Sequence, residues 1–389
     1  MGALQNFNKE WCKTTLGKVS TIKNGATPNT QIPRFWNGTI PWCTPTDITR
    51  TPGKYLTVTE RYITEAGLQS CGASLLPRGS ILLCSRATIG EVKIAASEIC
   101  TNQGFKSLVV PTGTSNEFLY YLLSTLKSQM LGRAAGSTFL EIGKRDLESI
   151  AISMPREDEQ RAIAEALSDV DGLLAALEAL IAKKRAIKQA VMQQLLTGKS
   201  RLPGFSGEWE RKQLGSALTV RHGRSQRYIT GPDGKYPILA SGGEIGRTDV
   251  SLYDKPSVLI GRKGTIDDPQ YVSSPFWTVD TLFYTEIADG MSVKFLYYKF
   301  CMIPWRSYNE ASGVPSLNSR TIENIEVNLP KSDEQHAIAA VLSDMDAEIT
   351  ALEGRRDKTH AFKQGMMQQL LTGRVRLVQP TYTTEDIVC

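Results

Sequence analysis

Two long stretches of the chain carry apolar side chains at alternating steps of four and three residues. In the first stretch these positions are Ile163, Leu167, Val170, Leu174, Leu177 and Ile181. In the second they are Ile338, Leu342, Met345, Ile349 and Leu352. This spacing is the a/d seam of a helix that packs on another helix. Further apolar positions continue each stripe: Ile187, Val191 and Leu195, mirrored by Phe362, Met366 and Leu370. The pattern predicts two helices of about 40 residues, ~60 Å long.

Both helices belong to one repeated segment. Residues 155–202 align without a gap with residues 330–377, and 27 of the 48 positions are identical. The copies read DEQRAIAEALSDVD from Asp158 and DEQHAIAAVLSDMD from Asp333. A proline opens each copy, acidic residues follow it, and Thr-Gly closes it, as expected for helix entry, helix dipole and C-cap. Two such helices with matching seams are expected to pack on each other and to run antiparallel.

The segments outside the helices also repeat, but loosely. Trp, Leu, Gly and Gly recur at a constant offset of 198: Trp11, Leu16, Gly17 and Gly25, then Trp209, Leu214, Gly215 and Gly223. Later, ILLCSRATIGEV corresponds to SVLIGRKGTIDD, EFLYYLLSTL to KFLYYKFCMI, and AAGSTFLEI to ASGVPSLNS. Short β-branched runs broken by Gly and Pro indicate strands and hairpins. The chain is therefore predicted to alternate globular heads and helices: first head 1–154, first helix 155–200, second head 201–330, second helix 331–378, and tail 379–389.

Charge and composition narrow the class of protein. The net charge is +5, and residues 1–154 alone carry +6, from 16 basic and 10 acidic side chains. This surplus allows an anionic partner such as nucleic acid. No apolar run approaches the ~20 residues that span a bilayer, and the start lacks a signal-peptide apolar region. The seven cysteines form no CxxC pair, which favours a cytoplasmic protein with reduced thiols over a zinc site or disulfide framework.

The order Trp…LG…G, strand and R-x-G-T-I hairpin, FLYY helix, and P…DEQ…IA…LS…D resembles the specificity subunit of type I restriction–modification systems. The resemblance extends to about Leu377. It implies an α+β fold: two target-recognition domains, of mixed β-sheet with helices, separated by two long antiparallel coiled-coil helices in a pseudo-two-fold tandem repeat. It also implies a non-catalytic subunit in phage defence. This subunit reads a bipartite site in double-stranded DNA and docks two adenine methyltransferase subunits and, where present, a restriction/motor subunit. S-adenosylmethionine would then be bound by the methyltransferase, and ATP and Mg by the restriction partner.

Basic and polar residues in Gly- and Pro-punctuated loops of the heads are the candidate DNA contacts, because arginine bonds guanine bidentately and hydroxyls bond phosphate. They are Arg34, Trp36, Arg86, Thr88, Arg133, Ser137, Arg224, Gln226, Arg227, Tyr228, Arg262, Lys263, Arg306 and Ser312. The sequence interpretation places Arg86 and Arg262 at the same hairpin position. The helix starts supply candidate partner-binding residues, expected to be exposed: Asp158, Glu159, Gln160, Asp333, Glu334 and Gln335.

Two alternatives remain open: a stand-alone nucleic-acid-modifying enzyme and a structural coiled-coil adaptor. A methylase lacks support, because no Asn-Pro-Pro occurs and ASGGEIG at Ala240 lacks the full G-x-G-x-x-G spacing. A nuclease would need Asp47, Glu91 and Lys93 to hold Mg²⁺. No metal site is expected.

Overall fold

The computed structural model describes residues 11–136, 140–227, 229, 231 and 233–378. The chain divides into two compact units, one of residues 1–178 with 355–389 and the other of residues 179–354. Each unit therefore contains one head and one half of each long helix.

The first head is a mixed α+β domain. Its strands are β1 (Cys12–Thr15), β2 (Thr21–Asn24), β3 (Trp36–Cys43), β4 (Tyr55–Leu56), β5 (Arg61–Ile63), β6 (Ile81–Leu83), β7 (Val92–Ala95), β8 (Cys100–Thr101), β9 (Lys106–Val109) and β10 (Ala151–Met154). Its helices are α1 (Leu16–Val19), α2 (Pro45–Arg50), α3 (Glu65–Gln69), α4 (Asn116–Thr125), α5 (Lys127–Arg133) and α6 (Lys144–Glu148). The strands form a sheet in the order β2-β9-β6-β7-β4, a sheet β5-β3-β8 and the pair β1-β10.

The first long helix, α7 (Glu157–Leu195), leads into the second head. The strands there are β11 (Glu210–Gln213), β12 (Leu218–His222), β13 (Tyr236–Ala240), β14 (Gly243–Thr248), β15 (Ser257–Gly261), β16 (Gln270–Val272), β17 (Trp277–Thr278), β18 (Leu282–Ile287) and β19 (Glu326–Leu329). The helices are α8 (Val293–Met302) and α9 (Ser319–Glu323), followed by the second long helix, α10 (Ser332–Leu370). The sheets are β12-β18-β15-β16, β14-β13-β17 and β11-β19.

The two heads share one topology, with one difference at a sheet edge. The central antiparallel pairs have the same register, since Leu82 pairs with Lys93 in the first head and Leu259 with Gln270 in the second. The FLYY blocks form α4 and α8, and a serine caps the start of each helix. Only the first head adds a strand, β4, beside β7, whereas the corresponding β16 ends its sheet among the described residues.

The long helices pack on each other in antiparallel orientation within each unit. In the first unit, Asp171 of α7 forms an ion pair with Lys363 of α10 at 2.6 Å. In the second, Lys184 of α7 pairs with Glu348 of α10 at 2.6 Å. The predicted mixed α+β fold with two heads and two long antiparallel helices is confirmed.

Most of the predicted a/d seam is buried or half-buried, as the periodicity requires. Ile163, Leu167 and Leu174 are buried in α7, and Ile338 and Leu342 in α10. The continuation of the stripe is wrong at two positions: Ile187 and Phe362, which occupy the same place in the two copies, are exposed. The less exposed positions in this part of α7, Lys184 and Lys188, continue the steps of three and four from Ile181, so Ile187 falls outside the seam.

The helix ends follow the predicted chemistry. Each helix has 39 residues, and the glycine after each Thr, Gly198 and Gly373, has a positive φ of 73° and 67°. This left-handed C′ residue closes a helix at little steric cost.

Among the described residues, no helix is both long and apolar enough to cross a membrane. Five of the described cysteines have free thiols: Cys43, Cys71, Cys84, Cys100 and Cys301.

Candidate nucleic-acid interface

In the first head, a hairpin tip and a turn lie side by side. The tip, residues 85–89, follows β6, and Arg86 forms a β-bridge with Glu141 of a turn whose described ends, Ala135 and Glu141, also bridge each other. The buried Lys106 ammonium lies 2.8 Å from the Glu141 carboxylate. This ion pair fixes the turn against the sheet, so that the tip and the turn form one surface.

The second head repeats this arrangement with different side chains. Its tip, residues 262–266, follows β15, and Lys263 forms a β-bridge with Ser316 at the end of turn 310–316. Here the side-chain oxygen of Asn309 accepts a hydrogen bond from the Ser316 amide at 2.9 Å. An Asn side chain bonded to nearby backbone shapes the turn in place of an ion pair.

Backbone hydrogen bonds establish which tip residues correspond. The amide that follows each turn donates to the carbonyl oxygen of Ser85 in the first head, at 3.0 Å, and to that of Arg262 in the second, at 2.9 Å. Arg262 therefore corresponds to Ser85, and Lys263 corresponds to Arg86. The pairing of Arg86 with Arg262 from the sequence is wrong by one position. The two heads consequently present different cations from equivalent backbone.

The third tip residue is left-handed in both heads. Ala87 has φ +63° and Gly264 has φ +87°. A left-handed conformation costs an L-residue roughly 1–2 kcal/mol, whereas glycine adopts it freely. The first head therefore carries backbone strain at its tip that the second head avoids.

Replacing Ala87 with glycine is expected to stabilise the first unit. Relief of the strain exceeds the entropy that glycine adds to the unfolded chain, leaving a net gain of about 0.5–1 kcal/mol. The matched change Gly264→Ala is expected to destabilise the second unit by a similar amount. Urea unfolding measures both. Shifts of the same sign for the two variants would contradict the assignment of strain to Ala87.

A buried tryptophan fixes the start of a second loop in each head. The indole N–H of Trp42 donates to the Ala26 carbonyl at 3.0 Å, and that of Trp277 donates to the Arg224 carbonyl at 2.9 Å. The two carbonyls occupy corresponding positions, but the tryptophans come from different strands, β3 and β17. The sequence comparison missed this role because the two indoles do not align.

The glycine before each of these carbonyls is required by close packing. A Cβ at Gly25 would lie 1.8 Å from the Asn102 carbonyl oxygen, and one at Gly223 would lie 2.0 Å from that of Val279. A backbone oxygen cannot move aside to make room for a Cβ, as the end of a flexible side chain can. The repeated glycines of the sequence thus mark the point where this loop leaves the sheet.

Trp36 supports the first head from inside, so the expectation that it lies exposed in a reading loop is wrong. Its side chain is 7% exposed, and its indole N–H donates to the Asn29 carbonyl at 3.1 Å. The Arg61 guanidinium lies 3.6 Å from the centre of the Trp36 ring. Arg34 remains exposed beside it.

The other candidates differ in accessibility. Exposed residues are Arg133, Arg224, Arg227, Lys263, Arg306 and Ser312. Half-buried residues are Arg86, Thr88, Gln226 and Arg262. The Thr88 hydroxyl oxygen is buried. Contrary to the prediction, this hydroxyl is therefore not accessible to DNA. Ser137 and Tyr228 lie outside the described residues.

Two electrostatic features modify this surface. The Arg306 guanidinium pairs with Asp267 at 2.5 Å, and its hydrogen bond lowers the pKa of that carboxyl. Part of the Arg306 charge is therefore already balanced.

In the first head, burial raises the pKa of the Cys84 thiol to about 11. This thiol stays protonated at neutral pH and is no nucleophile.

The residues of the nuclease alternative have structural partners. The Asp47 carboxylate closes the capping box of α2 with Thr44 and accepts the Glu60 amide at 2.9 Å. Glu91 instead pairs with Lys127 at 2.8 Å. Among the described residues, no group of three or more His, Cys, Asp or Glu is arranged to hold a metal. ASGGEIG, for its part, forms the β13–β14 hairpin, not a strand-to-helix phosphate loop.

The DEQ motif of the first repeat binds within its own unit. Glu159 is 1% exposed, and its carboxylate accepts hydrogen bonds from the Trp11 indole at 3.3 Å and from Arg376 Nη2 at 2.6 Å. Gln160 accepts the Ser115 amide at 2.9 Å and donates to the Pro155 carbonyl at 2.9 Å. We call Trp11, Glu159 and Arg376 the first clamp.

The second repeat builds the same arrangement. Glu334 is 2% exposed and accepts hydrogen bonds from the Trp209 indole at 3.2 Å and from Arg201 Nη2 at 2.5 Å. Gln335 accepts the Ser292 amide at 3.1 Å. We call Trp209, Glu334 and Arg201 the second clamp.

The expectation that all six helix-start residues are exposed is therefore wrong for four of them. Glu159, Gln160, Glu334 and Gln335 are buried and join the helices to the heads. Asp158 and Asp333 are exposed. Only these two remain candidates for a partner surface.

Comparison with known proteins agrees with this architecture. The family model for the type I restriction modification DNA specificity domain matches residues 8–189 and 206–359. The type I restriction enzyme MjaIX specificity subunit of Methanocaldococcus jannaschii is 28% identical over 364 residues, 83% of each chain. The EcoprrI specificity subunit of Escherichia coli is 25% identical over 365 residues, 87% of each chain.

Solved structures show the same fold. The crystal structure of a type I restriction-modification system S subunit from M. genitalium is similar with a TM-score of 0.64 at 18% identity, covering 95% of this chain and 97% of that one. The HsdS subunit from Thermoanaerobacter tengcongensis gives a TM-score of 0.54 at 15% identity, covering 94% and 98%. The chain therefore belongs to the type I restriction-modification DNA specificity family and is a DNA-recognition component rather than an enzyme.

Proposed function

We propose that this chain reads a bipartite site in double-stranded DNA, one half with each head. The observation that carries the proposal is the duplicated tip and turn, with Arg86 on the first tip and Lys263 on the second. Side chains on a hairpin tip reach base edges in the major groove, and neighbouring cations neutralise phosphates. Because the side chains differ while the backbone is shared, the two half-sites differ in sequence.

Two identical methyltransferase subunits are the proposed protein partners, one on each helix repeat. Support comes from the repeat itself, since near-identical surfaces select near-identical ligands, and from the exposed Asp158 and Asp333. A restriction/motor subunit joins where the system has one. In this assignment S-adenosylmethionine, ATP and Mg belong to those partners, and the complex works in the cytoplasm. Mass measurement of the complex at saturating partner tests it, and one methyltransferase per chain would contradict it.

Substitutions in one tip are expected to affect one half-site only. Lys263→Ala should lower the free-energy preference for the recognised bases of one half-site by about 1–3 kcal/mol, because it removes a contact to that half. Arg86→Ala should lower the same preference at the other half-site. Methylome sequencing of a host that expresses each variant with its partner subunits gives the result. Relaxation of both half-sites by either variant would contradict separate reading by the two heads.

The two alternatives make different predictions. A stand-alone methylase would transfer methyl groups from S-adenosylmethionine when the chain is purified alone. A coiled-coil adaptor would show no sequence-dependent DNA binding after the methyltransferase is added. The proposed function requires the opposite result in both assays.

A further inference from the structure

In the first head, the chain covers its own sheet edge. Strand β4 lies parallel to β7. The Ile94 amide donates to the Lys54 carbonyl at 2.8 Å, and the Ala96 amide donates to the Leu56 carbonyl at 3.0 Å. The outward N–H groups of β7 are thus satisfied by residues 54–56.

In the second head, the corresponding edge is open. Strand β16 occupies the place of β7, and among the described residues no strand pairs with its outer side. By the shared register, Tyr271 and Ser273 stand where Ile94 and Ala96 stand in the first head. Their N–H groups point away from β15, and an edge with unpaired donors is a template for another strand.

A groove adjoins this open edge. It has a volume of about 390 Å³ and is lined in part by Tyr271, Lys294, His336, Ser343 and Asp344. Its floor is the first part of α10, and its wall is the start of α8.

The equivalent place in the first head is filled by one side chain. The Lys54 ammonium lies there, 3.0 Å from a Glu117 carboxylate oxygen and 2.6 Å from the Ser168 hydroxyl. Ser343 corresponds to Ser168, but Lys294 stands in the place of Glu117. The second head therefore has a positive side chain, Lys294, where the first head has the negative Glu117 that binds Lys54.

We propose that the outer edge of β16 and this groove bind an extended segment of another polypeptide, which adds a parallel strand and places an acidic side chain against Lys294. Backbone hydrogen bonds from Tyr271 and Ser273 would supply affinity, as in other strand additions. The acidic side chain would supply selectivity, because Lys294 and Ser343 both donate hydrogen bonds to a carboxylate. The site is distinct from the tip and turn of the same head.

The probe is a labelled synthetic peptide of residues 51–58 carrying Lys54→Glu, and the matched control is the same peptide with lysine. Fluorescence anisotropy with the full chain should show at least tenfold tighter binding of the acidic peptide. In the Lys294→Glu chain, the order of the two peptides should reverse. Equal binding of the two peptides, or failure of the acidic peptide to bind, would overturn the proposal.

Two further variants separate the strand edge from the groove. Ser273→Pro removes one outward donor and should weaken the acidic peptide at least fivefold, whereas Ser273→Ala keeps the donor and should leave binding unchanged. Thermal unfolding checks that both variants fold. Sedimentation tests a second copy as the occupant: self-association that Ser273→Pro abolishes would overturn the assignment to a different polypeptide.

Discussion

Arg376→Ala is expected to lower the free energy of unfolding of the first unit by about 3–5 kcal/mol, the usual effect of removing one partner of a buried ion pair. The change leaves the Glu159 carboxylate buried with the Trp11 indole as its remaining partner in the first clamp. An ionised carboxylate without its counter-charge loses solvation that one neutral N–H does not replace.

Chemical unfolding, followed by the fluorescence of tryptophan, measures this loss. Arg201→Ala is the counterpart in the second clamp and should destabilise the second unit similarly. Arg161→Ala is the control, because its exposed ion pair with Glu157 contributes ~0.3–0.5 kcal/mol. Adding Glu159→Gln to Arg376→Ala should restore part of the stability. A loss no larger than that of Arg161→Ala would show that the first clamp is not an energetic anchor.

Lengthening both long helices is expected to change the gap between the half-sites and nothing else. Four residues inserted after Glu178 and four after Glu353 extend each helix by ~6 Å. DNA advances ~3.4 Å per base pair, so the unread spacer should grow by about one or two base pairs. Four residues turn a helix by slightly more than one turn, so the seam nearly keeps its register. Sites with the original spacer should lose their modification.

Methylome sequencing of the double-insertion chain with its partners identifies both the half-sites and the spacer. Insertion after Glu178 alone is the control, because it leaves α7 and α10 unequal and should abolish modification at either spacer. Half-site bases that change while the spacer stays constant would contradict the proposed role of the helices as a spacer.

The helices were predictable because their signal is local and repeated. Steps of four and three residues continue over about five turns in the first copy and about four in the second, and the gapless alignment of the copies excludes a chance pattern. In the heads, strands, hairpins and the FLYY helices were predictable, but the order of the strands in the sheets was not. Their sheet order depends on contacts such as Thr21 with Val109, which no periodicity specifies.

Buried polar roles were harder to predict than exposed ones. Acids at a helix start usually face solvent and favour the dipole, so Glu159 was expected on the surface. Its partners Trp11 and Arg376 lie 148 and 217 residues away. One signal was available, since Trp209 and Arg201 provide the same residue types for Glu334. The prediction for Trp36 was wrong for a related reason, because a loop sequence does not show which of its side chains face the core.

The paired clamps also bear on how such a protein diversifies. Each head meets the scaffold through the same few groups: an N-terminal tryptophan on the clamp glutamate, a serine amide on the DEQ glutamine, and a FLYY tyrosine on a helix aspartate, as Tyr121 bonds Asp171 at 2.6 Å and Tyr298 bonds Asp346 at 2.7 Å. A foreign head that supplies these groups would meet identical acceptors at either location. Exchange of one head at the repeat boundaries would therefore leave the contacts of the scaffold unchanged, and under the proposed function each exchange would alter one half of the recognised DNA.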